Sequence, residues 1–182
     1  MIGVNNNGSN KFTIYALNGS EIKSFTVNNS RNFFHSVYLD SIITYSSDLV
    51  EVHSIDSCSL IKSFKDEKES KDFYHGLVHN NKLYVGYNGG IKIFDWTTCK
   101  IINTIQNGYG CWDWNLVLWN NKYLLSSHDG YNNAITVYNI EQQKKESDIQ
   151  LNGTTYWIDK ARNSSTLVVH HCSKTISKVE IK

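Results

Sequence analysis

Proline is absent from all 182 residues. That removes proline-rich linkers and polyproline recognition segments, and it leaves Gly, Asn, Asp and Ser to mark the turns. No apolar run approaches the roughly 20 residues that a membrane-spanning helix needs. The opening Met1-Ile-Gly-Val has neither a basic nor an apolar region of the kind a secretory signal carries, and a Met-Gly start for myristoylation is missing. Neither sign of charge dominates: 18 Lys and Arg stand against 17 Asp and Glu, so no strong overall field draws the chain to nucleic acid or to an anionic membrane. Cysteine is sparse. Cys58, Cys99, Cys111 and Cys172 form no C-x-x-C pair and read as free thiols of a reducing compartment, cytoplasmic with the nucleus as the other option.

What the chain does contain is a repeat. Lys11-Phe-Thr-Ile-Tyr-Ala-Leu, Leu49-Val-Glu-Val-His-Ser-Ile, Ile91-Lys-Ile-Phe-Asp-Trp, Ala134-Ile-Thr-Val-Tyr-Asn-Ile and Thr175-Ile-Ser-Lys-Val-Glu-Ile are short alternating runs of β-branched and aromatic residues. This is strand chemistry. The flanks repeat too: Glu21-Ile-Lys-Ser-Phe and Leu60-Ile-Lys-Ser-Phe follow the first two runs, and Lys100-Ile-Ile-Asn-Thr-Ile follows the third. Leu83-Tyr-Val-Gly-Tyr, Tyr123-Leu-Leu-Ser-Ser and similar words precede them. Each unit therefore reads as four short strands, a to d, with turns such as Asn80-Asn81 and Asn88-Gly89-Gly90. Four strands per period of about 40 residues is the arithmetic of a propeller blade. The expected fold is all-β, with propeller-like blades of four antiparallel strands. One repeat domain spans 1–182, with units near 1–32, 33–72, 73–110, 111–154 and 155–182.

The third unit carries a family resemblance. Leu83 to Thr98 is similar to the core of a WD repeat: strand, tight polar turn, alternating strand, an aromatic-Asp pair, then a turn. Phe94-Asp95 stands at the family's Trp-Asp position, with Tyr138-Asn139 and His53-Ser54 as degenerate counterparts. Asp48 and Asp129 sit near the b–c turn, where the family often has a structural Asp. The chain departs from the family in having no Gly-His dipeptide before a strand a. The first unit also lacks a strand a and the last lacks a strand d, so about four and a half blades are expected. Self-association through the incomplete edge blades follows as an expectation.

Few residues are arranged for chemistry. His75 and His79 would stand roughly 13 Å apart on a strand, too far to share an ion. In His170-His171-Cys172 neighbouring side chains would face opposite ways. No metal and no cofactor is expected. No nucleophile elbow appears, and Gly108-Tyr-Gly-Cys111 lacks the ending of a phosphate loop. Trp112, Trp114, Trp119, Trp96 and Trp157 read as packing between blades, because no base lies between Lys100 and Lys122 to make a stacking platform for nucleic acid.

The resemblance implies a non-catalytic scaffold for a protein or peptide partner, bound on the face built by the d–a and b–c loops. On this chain that face offers Arg31, Lys68, Lys71, Tyr109, His128 and Tyr131, cations and aromatics suited to interfaces. The alternative is a propeller enzyme or small-ligand sensor, with His35, His75, Asp113 and Asp159 converging in the central channel.

Overall fold

A computed structural model of the protein describes residues 2–5, 11–27, 34–67, 72–108, 113–128, 133–161, 165–171 and 175–180. Among these residues there are strands and turns and no helix. The strands form five antiparallel sheets, each in simple sequence order. The first sheet joins β1 (Ile2–Asn5), β2 (Lys11–Tyr15) and β3 (Glu21–Thr26). The second holds β4 (Phe34–Tyr38), β5 (Ser41–Tyr45), β6 (Leu49–Ser54) and β7 (Leu60–Lys65). The third holds β8 (Phe73–His79), β9 (Lys82–Tyr87), β10 (Gly90–Asp95) and β11 (Ile101–Gln106). The fourth holds β12 (Asp113–Trp119), β13 (Tyr123–His128), β14 (Ala134–Asn139) and β15 (Lys144–Gln150). The fifth joins β16 (Thr155–Lys160), β17 (Thr166–His171) and β18 (Ile176–Glu180). Three blades of four strands thus lie between two of three. Among the described residues no strand of the first sheet pairs with one of the fifth.

Burial explains why the repeat takes this form. In the second, third and fourth sheets the middle strands, b and c, are covered on both faces: β9 and β10 are buried almost throughout, whereas in the fifth sheet β17 alternates buried with exposed and β18 buries no residue. The outer strand d is covered on one face only, so β3, β7 and β11 each bury a single residue, Phe25, Phe64 or Ile105. Each pair of neighbouring sheets has its own apolar core. Phe12, Ile14 and Phe25 meet Ile42 and Ile55 at the first junction. Tyr45, Val52 and Phe64 meet Val85, Tyr87 and Phe94 at the second. Ile93 and Ile105 meet Leu116 and Ile140 at the third, and Val117, Trp119 and Leu125 meet Ile158 and Val169 at the fourth. A blade alone buries neither face, so stacking supplies the stability, as in other repeat architectures.

The turns are set by a second repeated device. At the end of strand c, Asp95 Oδ1 accepts from the amides of Thr97 (3.0 Å) and Thr98 (2.7 Å). Asn139 Oδ1 accepts from Glu141 and Gln142, both at 3.1 Å, and Ser54 Oγ accepts from Ser57. The same turns then need one residue in the left-handed region: Gly19 (φ 85°), Cys58 (58°), Cys99 (59°) and Gln143 (50°). The a–b turns instead use Asn80-Asn81 and Asn120-Asn121, all with φ between 48° and 56°, where Asn tolerates that region best after Gly. Gly76 is required by close approach, since a Cβ there would strike the Tyr84 carbonyl and the Tyr45 ring.

Candidate functional site

The junctions between blades consume most of the polar chemistry in the described chain. On the inner side, Tyr45 Oη donates to the Gly76 carbonyl (2.9 Å) and shares a 2.6 Å hydrogen bond with Ser36 Oγ. Burial pushes the Tyr45 phenol well above its usual range, so it stays a neutral donor. His75 Nδ1 accepts from the Leu116 amide (3.3 Å), and Asn115 Oδ1 accepts from the Ile158 amide (3.2 Å). His75 and Asn115 hold the same place in β8 and β12, so one position of strand a ties the third sheet to the fourth and the fourth to the fifth. The His75 ring lies 6.0 Å from that of Tyr45 and 5.8 Å from that of Trp157.

On the outer side a residue two before the buried Phe or Ile of strand d reaches the c–d turn of the following blade. Lys23 Nζ donates to the Ile55 and Asp56 carbonyls. Lys62 Nζ donates to the Trp96 carbonyl (2.9 Å) and lies 4.6 Å from the centre of its ring. Asn103 Nδ2 donates to Gln143 Oε1 (2.6 Å). The middle of strand c contributes a third connection. Lys92 of β10 is paired with Asp66, which follows β7, and both side chains are under 5% exposed. Thr136 of β14 bridges His128 Nε2 (2.6 Å) and Asp148 Oδ1 (2.7 Å). Asp148 in turn meets Lys145 Nζ at 2.8 Å, and Lys145 donates to the Asn107 carbonyl in the preceding blade (3.0 Å).

These placements revise the sequence reading at several residues. His128 is fully buried at the end of β13, in that chain of hydrogen bonds, and so is not presented on a loop face. β13 runs one residue further than the sequence pattern implies, His128 pairing with Asp113 of β12 while its ring meets Thr136 of β14. Asp66, the first residue after β7, is likewise interior. Arg31, Lys68, Lys71, Tyr109 and Tyr131 lie outside the described residues. Trp119 and Trp96 do pack between neighbouring blades. Trp157 is half-buried and meets His75, two sheets away, so it faces the inner bore as well.

Of the four residues expected to converge in a channel, His75 sits between two aromatic rings, while Asp159 is exposed and accepts from the Lys160 amide (2.7 Å). The side chains of His35 and Asp113 lie outside the described residues. His171 is buried with Nε2 at 2.8 Å from Ser177 Oγ, and His170 is exposed on the other face. Among the described residues no three His, Cys, Asp or Glu side chains stand together in a way that could hold a metal ion. The sequence reading missed the Lys92–Asp66 pair. Its signal was a polar residue at the third position of strand c, between two apolar ones: Thr13, Glu51, Lys92 and Thr136, each buried.

No family model matches the sequence, and no curated protein does. Solved structures match by shape. A chain in the crystal structure of the mitotic checkpoint complex superposes with a TM-score of 0.80 at 12% identity, over 96% of this chain and 56% of that one. The WD40 β-propeller domain of Doa1 gives 0.77 at 16% identity, over 93% of this chain and 57% of that one. The chain spans a little over half the length of both. With strands a to d in the order counted from the sequence, and with that likeness, the protein has the fold of a WD40 β-propeller, represented by about four and a half blades.

Proposed function

We propose that the protein is a non-catalytic interaction scaffold that holds a protein or peptide partner on its d–a and b–c loops. The carrying observation is the way the blades use their side chains. Strands b and c of the three four-stranded blades are covered on both faces, and buried polar groups such as Lys92, Asp66, Tyr45 and His128 are bonded within or between blades. Change there would disturb the stack, so recognition falls to the loops and the outer rim. One of the two matched structures belongs to a multi-protein complex, which agrees with such a role. Free Cys58 and Cys99 suit a reducing compartment, cytoplasmic or nuclear.

Lys68 and Lys71 supply the test, because in this reading they belong to the docking face, where charge steers association more than it stabilises the fold. Reversing both to Glu is expected to lower partner recovery from the source lysate and leave the melting temperature unchanged. Asp56→Lys, on an exposed c–d turn at the other side of the blades, serves as the control. Full recovery by the double reversal, with recovery lost in Asp56→Lys, would reject the loop face.

A further inference from the structure

The outer strands of the blades are not protected alike. Strand d is the last strand of its sheet in the second, third and fourth blades, so one side of its backbone has no strand partner among the described residues. Natural sheets guard such edges with charge, proline or bulges. The chain has no proline. β15 is guarded by Lys144, Lys145, Glu146 and Asp148. β11 carries no charge at all; its one guard is a shift of register between Ile101 and Asn103, and the Ile102 left out of the ladder there is 48% exposed.

Beside that uncharged edge runs a groove of about 760 Å³ between β7 and β11. Ile101, Thr104 and Gln106 of β11 line it, and the exposed Ile102 stands beside Ile101 at the shift of register. Its floor is the buried Lys92–Asp66 pair, which leaves the other lining charges to determine its character. Those are Lys65, Lys100 and Glu67. Lys65 is 59% exposed and only loosely paired, at 4.0 Å from Asp48. Lys100 immediately precedes β11, whereas Lys65 ends β7, the equivalent strand of the blade before. The two cations therefore stand toward opposite ends of the groove, roughly 20 Å apart at about 3.3 Å per strand residue.

An unpaired backbone edge, an exposed isoleucine and a cation toward each end are complementary to one kind of occupant. We propose that an extended acidic peptide segment of a partner protein adds to the edge of β11 as a fifth strand, with an apolar side chain on Ile102 and carboxylates at Lys65 and Lys100. Main-chain hydrogen bonds would supply affinity, and the flanking charges would set selectivity and direction. This deepens the scaffold reading and rests on it, but it names a different surface from the loop face.

The test is selection of binders from a displayed library of random ten-residue peptides on the intact protein. The expected winners alternate β-branched with acidic residues and slow amide exchange within Ile101–Gln106. Ile102→Lys, and separately Lys65→Glu with Lys100→Glu, should each weaken their binding at least tenfold at an unchanged melting temperature. Winners that are basic, or unaffected by these variants, overturn the proposal. Winners that protect the d–a and b–c loops overturn the groove alone and leave the scaffold reading standing, while a library without binders counts against both. Sedimentation showing a dimer that Ile102→Lys dissolves would assign the edge to a second copy of this chain, and would also overturn it.

Discussion

Asp95 shows how a family position can persist while its chemistry is local. It stands where the WD dipeptide has its Asp, and here its carboxylate closes the c–d turn through the amides of Thr97 and Thr98. Asn139 and Ser54 fill the same place with the same geometry, because any short side-chain oxygen can accept those amides. The Thr98 amide and hydroxyl, then the Thr97 amide and the Lys62 charge, hold the Asp95 carboxyl below the usual carboxylate range. A folded value below the unfolded one adds stability that is present above the unfolded pKa of about 3.9 and lost as pH falls through the folded value. Asp95→Ala is thus expected to lower the melting temperature at neutral pH. The gap from wild type should narrow as pH drops below about 4. A gap that stays constant down to pH 2 in melting curves would show that the charged form contributes nothing.

At the scale of the strand, the number of covered faces decides what a residue is worth. Trp119 closes β12 at 4% exposure and packs with Ile158 and Val169 of the fifth sheet. Trp119→Ala should destabilise by about 3–5 kcal/mol in a denaturant titration, as large aromatic deletions in cores do. Lys62 lies on the one-faced strand β7, yet it reaches across to the Trp96 carbonyl and ring. Lys62→Met keeps much of the stem and removes the charged donor. The expected loss is about 1–2 kcal/mol, measured by the same titration, since the bond is charge-assisted and only half-buried. An unchanged midpoint for Lys62→Met would reduce the repeated turn contact to a passive one.

For the whole molecule the junction is the unit of stability, and Lys92 with Asp66 gives a direct probe of it. Both side chains are almost fully covered between the second and third blades. Lys92→Met alone leaves a buried carboxylate without its cation and should destabilise by about 3–5 kcal/mol. Adding Asp66→Leu should recover most of that loss, because replacing both partners by apolar groups removes the desolvation penalty along with the attraction. Chemical denaturation of both variants checks the pair. A double variant no better than the single one would show that the ion pair itself, rather than the penalty for breaking it, holds the blades together.

Alternation of apolar and polar residues, with turn residues at regular spacing, was enough to determine the strands, their order within each sheet and the propeller fold. Those signals act within one blade, where neighbours in space are also neighbours in sequence. The equivalence of Ser54, Asp95 and Asn139 and the Asn80-Asn81 turn were legible for the same reason, whereas the amides those three side chains cap were found only in the structure. Partners across a junction were not. Lys92 meets Asp66 from 26 residues away, and His75 meets Trp157 from two sheets away, so no local pattern announces either contact. His128 looked like a loop residue from its place beside Asp129-Gly130, and only the cover of β14 and β15 made it interior. Local chemistry determined which segments become blades. The stacking of one blade on the next decided which polar residues are consumed inside, and which stay at the surface.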